Sequence, residues 1–91
     1  MWICTKNNQM VNMDKITYLY IEKGKDYYDD NAVLKTYQYI FADNNKIIKL
    51  ASEEDAIKEL ENIKVSLNDG SAIYQSNGMD MLEDEHGNLI D

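Results

Sequence analysis

The chain contains no arginine and no proline, and it has only one cysteine and one histidine. Arginine is the usual reader of phosphate and guanine, because its guanidinium makes two parallel hydrogen bonds. Together with a net charge of −8, its absence argues against direct binding of DNA or RNA, since phosphate neutralisation dominates that affinity. An acidic membrane surface is disfavoured for the same reason. A basic protein partner is allowed, and so is the simpler reading that the charge keeps a small protein in solution.

The scarcity of cysteine and histidine limits the chemistry that the chain could carry. Cys4 stands in a predicted strand and His86 in the C-terminal segment, so a catalytic pair is not expected, and these two are too few for a zinc site. A calcium loop needs oxygen ligands at defined spacings, and Leu82 interrupts that spacing between Asp80 and Asp84. There is no glycine-rich phosphate loop and no serine-centred nucleophile motif. We expect a protein without enzymatic activity, bound metal or cofactor.

Long apolar runs are also missing. No stretch approaches the roughly 18 apolar residues that span a bilayer, and residues 1–9 lack the basic and then apolar order of a secretory signal. A single cysteine fits a reducing compartment, so we expect a cytoplasmic protein. The length of 91 residues indicates one domain with a modest core, to which a homodimer would add buried apolar surface.

Short runs rich in β-branched and aromatic residues predict strands in the first part of the chain. These runs are residues 2–5, 10–12, 16–23, 32–42 and 46–50, with a later edge strand at 72–75. Asn44 and Asn45 suit a two-residue hairpin turn because asparagine tolerates left-handed backbone angles. That turn would pair Phe41 with Ile48, and it would place Tyr39 on the same core-facing side.

Residues 52–67 carry the signals of an amphipathic helix. Ser52 suits the N-cap and Asp55 stands three residues later, as in a capping box. Gly70 suits the turn that ends a helix. The apolar positions at helical spacing are Ala56, Ile57, Leu60, Ile63 and Leu67. We therefore expect an α+β domain over residues 1–76, in which one antiparallel sheet of about five or six strands packs against this helix.

Residues 77–91 differ in composition from the rest of the chain, with five acids and no lysine. The sequence "EHGN" is typical of a turn, and apolar residues on both sides of it predict a short hairpin or arm. An isolated hairpin is marginal in water, so we expect this segment to pack on the domain or on a partner. Its acidic residues, Asp80, Glu83, Asp84 and Glu85, are candidates for binding a basic protein surface.

The seven tyrosines are the remaining feature with functional promise. Tyrosines in strands commonly form sheet cores or protein interfaces, whereas stacking on nucleic-acid bases also requires a cationic channel. Tyr27, Tyr28 and Tyr74 are the candidates for a partner surface.

Three short motifs carry a resemblance to a known group of proteins. They are "MWI.T" at residues 1–5, "VN" at residues 11–12 and "SEEDAIKELENI" followed by "DG..IYQ" within residues 52–75. Over residues 1–76 the chain resembles small proteins of low-GC Gram-positive bacteria and their phages, similar to pleckstrin-like sheets with a C-terminal helix. The resemblance implies no catalytic residues. It favours a phage or prophage inhibitor of a host defence system, anti-CRISPR-like, that binds a basic surface. The alternative is a self-associating structural domain.

Overall fold

The computed structural model describes residues 1–6, 8–28 and 30–79. These residues form eight strands, one α-helix and a single turn of 3-10 helix at Met13–Lys15. In chain order the strands and the helix are β1 (Trp2–Cys4), β2 (Met10–Asn12), β3 (Leu19–Lys23), β4 (Tyr27–Tyr28), β5 (Leu34–Lys35), β6 (Gln38–Ala42), β7 (Asn45–Leu50), α1 (Glu53–Asn68) and β8 (Ile73–Gln75).

The fold is α+β, with sheets packed against one helix, as the sequence predicts. The expectation of a single antiparallel sheet is wrong, because the described strands divide into sheets of order β2-β1-β8, β3-β6-β7 and β4-β5. Helix α1 carries the chain back to its beginning, where β8 pairs with β1 in parallel and Trp2 stands opposite Ile73. This long-range pairing completes the first sheet, whereas the other two sheets consist of strands from the middle of the chain.

Helix α1 begins where the sequence places it. The Ser52 hydroxyl accepts a hydrogen bond from the backbone N–H of Asp55 at 3.1 Å, so the predicted N-cap is confirmed. The buried face differs from the predicted stripe. Ile57 and Leu67 are 49% and 43% exposed, whereas the charged residue Glu59 is buried.

The hydrophobic core lies between α1 and one face of the two three-stranded sheets. Its buried residues are Ile3, Ile40, Ala42, Ile47, Ile48, Leu50, Ala56, Ile63 and Tyr74. Side chains alternate between the two faces of a strand, so Ile40 and Ala42 face the helix while Tyr39 and Phe41 lie on the opposite side of β6. The predicted core face of this strand is therefore wrong.

The β6–β7 hairpin also turns one residue earlier than predicted. Ala42 pairs with Asn45 and Ile40 with Ile48, with a bulge between Ile40 and Phe41. The two turn residues are Asp43, at φ 53°, and Asn44. The Asp43 carboxylate accepts hydrogen bonds from the backbone N–H groups of Thr17, at 3.1 Å, and Tyr18, at 3.2 Å, before β3. This tertiary contact stabilises Asp43 in a left-handed backbone conformation, and the sequence of the turn alone does not indicate it.

Candidate functional site

The side chain of Glu59 is the central feature of the described C-terminal region. Glu59 follows Ala56 by three residues and precedes Ile63 by four, so all three share one face of α1. That face packs into the core, and Glu59 is only 2% exposed. Burying a carboxylate costs several kcal/mol unless hydrogen bonds replace its water. The surroundings of this carboxylate therefore decide whether the helix can pack.

The replacement hydrogen bonds come from Tyr74 in β8 and from Ser76 and Asn77, which follow this strand. The Tyr74 hydroxyl donates to Oε1 of Glu59 at 2.5 Å, and the Ser76 hydroxyl donates to Oε2 at 3.2 Å. Asn77 donates twice, from its backbone N–H at 2.8 Å and from its side-chain amide at 3.3 Å. All four donors are neutral, so hydrogen bonds to the charged oxygens stabilise this buried group without a salt bridge to these residues.

Backbone hydrogen bonds also attach this part of the chain to the domain, as far as Met79. The backbone N–H of Ser76 donates to the carbonyl of Cys4 at 2.9 Å, and that of Met79 donates to the carbonyl of Lys49 at 2.7 Å. The second bond is part of an antiparallel bridge between Lys49 and Met79 at the outer edge of β7. We call residues 74–79 the C-terminal anchor. The predicted boundary after residue 76 falls inside this anchor.

Gly78 allows the C-terminal anchor to approach the sheet closely. An added Cβ at this position would meet a methyl group of Ile48 and would lie 3.0 Å from the carbonyl oxygen of Lys49. Its N–H donates to the Ser76 hydroxyl at 3.0 Å. Packing and hydrogen bonding thus fix the direction in which the chain passes β7.

The environment of Tyr74 changes the acidity of its phenol. Burial raises the pKa of Tyr74, and the hydrogen bond to Glu59 and the negative charge of that residue raise it further. Each of these effects favours the protonated phenol, which is the form that donates to Glu59. The network therefore requires a neutral Tyr74.

The three predicted partner-binding tyrosines differ in their exposure. Tyr74 is only 8% exposed and lies in the core, so it is removed from the candidate partner surface. Tyr28 is 63% exposed on β4. Tyr27 is half-buried beside it, with its ring centroid 6.2 Å from that of Tyr37. Asp80, Glu83, Asp84 and Glu85 lie outside the described residues.

The β4–β5 hairpin that carries Tyr27 and Tyr28 is tied down at its base. The Thr36 hydroxyl donates to the Asp26 carboxylate, and Lys23 forms an exposed ion pair with the same group at 3.5 Å. The hydrogen bond from Thr36 is the main reason that the pKa of Asp26 is lowered, and the charge of Lys23 adds to it. The base of the hairpin is therefore held by polar contacts between neighbouring residues, while Tyr28 remains exposed.

The metal-binding potential of residues 1–6, 8–28 and 30–79 is limited. No group of three or more His, Cys, Asp or Glu side chains among them is placed to hold a metal ion. A groove of about 770 Å³ between β2 and the β6–β7 turn is lined by neutral side chains and two lysines, Lys15 and Lys46. Cys4 is half-buried on β1.

In the part of the chain that the structure describes, no helix is both long and apolar enough to cross a membrane.

No protein-family model, no curated protein and no solved structure matches this chain. The resemblance to small proteins of Gram-positive bacteria and phages, and to pleckstrin-like sheets, therefore stays a prediction.

Sequence reasoning missed Glu59, the residue that organises the C-terminal anchor. One signal was available, because Glu59 stands at helical spacing from Ala56 and Ile63 and so falls within the apolar stripe. Its partners could not be read from the helix, since they lie 15 to 18 residues further along the chain.

Proposed function

We propose that the protein is a non-enzymatic, cytoplasmic interaction module that presents its acidic C-terminal segment to a basic surface of another protein. The observation that supports this proposal is the difference in net charge between the residues up to the end of the C-terminal anchor and the residues after it. Residues 1–79 hold all nine lysines and twelve of the seventeen acids, so their net charge is only −3. The other five acids lie within residues 80–91, which contain no lysine. The acidic segment starts directly after Met79, whose backbone is bonded to β7.

Anchoring the start of a charged segment has a physical advantage for binding. A segment that leaves the domain at a fixed point loses less conformational freedom when it binds than a segment on a long flexible linker. Clustered negative charge also steers a basic partner during encounter, an effect that weakens as salt rises. These considerations support a partner that is recognised mainly through its positive charge.

Affinity capture with charge-matched variants tests this proposal. In the tail variant, Glu83→Gln, Asp84→Asn and Glu85→Gln remove three charges beyond the C-terminal anchor. In the control variant, the same number of charges is removed from exposed acids of the domain by Asp30→Asn, Glu54→Gln and Asp69→Asn. We expect the wild type and the control to retain one basic partner from host lysate at moderate salt, and the tail variant to lose it. Equal retention by both variants would contradict the proposal.

A phage or prophage inhibitor of a bacterial defence system is a specific form of the same proposal. Such systems hold nucleic acid in basic grooves, and an acidic segment competes for that kind of surface. If the captured partner binds nucleic acid, DNA or RNA added in excess should displace the protein from it. Unchanged capture in the presence of excess nucleic acid would remove this form and leave the general one.

A second candidate function, self-association, is favoured by the outer face of the β2-β1-β8 sheet. Trp2, Met10 and Ile73 are 43%, 48% and 61% exposed, and strand alternation places them on the face that points away from the core. The remaining outward positions, Cys4, Asn12 and Gln75, are uncharged, so two copies could meet there without juxtaposing like charges. Clustered exposed apolar residues often mark an interface.

Light scattering coupled to size-exclusion chromatography tests self-association of the full chain. If the face is a dimer interface, the wild type should show twice the monomer mass at high concentration, and Ile73→Glu should show the monomer mass. Val65→Glu, on an exposed position of α1 (56%), is the matched control and should remain a dimer. A monomeric wild type would eliminate this alternative.

A further inference from the structure

The face of the β3-β6-β7 sheet opposite α1 carries a row of aromatic rings. Tyr20 pairs with Phe41 across β3 and β6, and their rings are stacked with centroids 5.1 Å apart and an interplanar angle of 13°. The ring of Tyr18 follows, 5.6 Å from that of Tyr20. Tyr18 is 52% exposed, while Tyr20 and Phe41 are half-buried. The row is therefore accessible at its Tyr18 end.

Two lysine side chains of this chain already lie over other aromatic rings of the same face. The Lys46 ammonium lies 4.7 Å from the ring centroid of Tyr39, and the Lys49 ammonium lies 4.1 Å from that of Tyr37. Both distances are within the range of cation–π attraction. Both lysines belong to β7, which is the edge of the sheet opposite to β3.

The β3 edge of this face carries the opposite charge. Glu22 is exposed and lies on the same side of β3 as Tyr20, because the two residues are two positions apart in one strand. The Asp43 carboxylate is held at the backbone of Tyr18. Partial burial raises the pKa of the Tyr20 phenol, and the charges of Glu22 and Asp43 and the neighbouring Tyr18 add to the increase. The open end of the row is thus an electronegative environment.

We propose that the open end of this aromatic row, Tyr18 and Tyr20, binds a lysine or arginine side chain of a basic protein partner, with Glu22 supplying the counter-charge. Charge complementarity determines this choice of occupant, since ring faces attract cations and the adjacent carboxylates repel anions. The inference rests on the proposed function and adds a second contact, on the domain itself, to that of the acidic segment. Arginine suits the site because its planar head stacks on aromatic rings while it pairs with a carboxylate.

A nuclear magnetic resonance titration of the full chain with tetra-arginine amide tests this site. The expected result is a saturable shift of the Tyr18, Tyr20 and Glu22 signals. Tyr18→Leu and Glu22→Gln should each weaken binding at these signals by roughly 2- to 5-fold, as expected of an exposed cation–π contact or ion pair. Both positions are exposed, so the fold should survive the substitutions, and unchanged thermal melting checks this. Glu61→Gln, at an exposed carboxylate on α1, is the charge-matched control for Glu22→Gln and should leave the dissociation constant unchanged.

The tail variant separates this inference from the proposed function. Because the peptide also meets the acidic segment, the titration is repeated with Glu83, Asp84 and Glu85 neutralised, and the shifts at Tyr18 and Tyr20 should persist. Shifts confined to residues 80–91, or an equal loss of binding in the Glu61→Gln variant, would overturn the aromatic site while leaving the proposed function intact. Conversely, if the tail variant still captures the partner, the proposed function fails whatever the titration gives.

Discussion

Two short β elements of this protein, the C-terminal anchor and the β4–β5 hairpin, have similar strand lengths but very different surroundings. The anchor begins in β8, and its tyrosine, Tyr74, is buried and donates to a buried carboxylate. In the hairpin, Tyr28 is exposed, and the base is held by hydrogen bonds at the protein surface. A strand of two or three residues contributes little stability by itself. The anchor gains support from pairing with β1 and from the bridge to β7, and one helix side chain, Glu59, reaches this region and not the hairpin.

Apart from full truncation of Tyr74, the substitution with the largest expected effect is Glu59→Gln. A glutamine side chain offers only one acceptor oxygen and places an N–H₂ group among the four donors, so buried donors lose their partner. We expect the free energy of unfolding to fall by about 2–4 kcal/mol, measured by urea denaturation.

Glu61→Gln is the matched control on the same helix. Glu61 is exposed and its carboxylate lies 3.1 Å from the Lys64 ammonium in an (i, i+3) pair, and such pairs contribute at most about 0.5 kcal/mol. Similar losses in the two variants would mean that the Glu59 network does not distinguish the anchor from the surface.

Gly78→Ala should have the next largest effect. The added methyl would meet Ile48 and the Lys49 carbonyl, and the Met79–Lys49 bridge limits the shift that could relieve the contact. Overpacking of this kind costs about 1–3 kcal/mol. Gly70→Ala is the comparison, because its methyl meets open space and only the φ of 71° is unfavourable, at about 1 kcal/mol. If Gly70→Ala is the more destabilising of the two, the close approach at Gly78 is not a constraint.

Tyr74→Phe should lower the stability by about 1–2 kcal/mol at neutral pH, since Glu59 loses one donor. The effect should also depend on pH. Because the folded state raises the pKa of Tyr74 above its ordinary value of 10.0, the stabilisation is fully present below about pH 10 and is lost as the pH rises further. In thermal melts from pH 7 to 11, the difference in melting temperature between the wild type and Tyr74→Phe should therefore stay constant up to about pH 10 and narrow above it. If the difference in melting temperature stays constant up to pH 11, ionisation of the Tyr74 phenol does not affect the stability, and the prediction is wrong.

Tyr28→Ala should have the smallest effect on stability, within about 0.5 kcal/mol, because its side chain is mostly exposed and lies away from the core. Chemical denaturation next to Tyr74→Ala, for which a loss of several kcal/mol is expected, compares the two predicted partner-surface tyrosines directly. A large loss at Tyr28 would mean that the hairpin is as much a part of the structural core as the anchor.

Local patterns predicted the elements better than they predicted the contacts between them. Helix α1 and its Ser52 cap follow from spacing and capping chemistry, which act within a few residues. The register of β6 and β7 does not, because Asp43 adopts a positive φ while binding the backbone before β3. The parallel pairing of β1 with β8 joins residues about 70 positions apart, and no local signal contains it.

The candidate site shows the same limit. Tyr74 and Tyr28 are chemically alike and both stand in short strands, so composition and periodicity treat them as equivalent. What separates them is the position of α1, which brings Glu59 to one tyrosine only. A carboxylate within an apolar helical stripe indicates a buried network, but the sequence does not say which donors complete it.

The most direct measurement of the central claim is amide hydrogen exchange of the full chain by nuclear magnetic resonance. If Glu59 holds the C-terminal anchor to the domain, the backbone N–H groups of Asn77 and Met79 should exchange about as slowly as those in the centre of β6, and Glu59→Gln should accelerate them while Glu61→Gln should not. Exchange of Asn77 and Met79 as fast as that of the β4–β5 hairpin in the wild type would contradict the account.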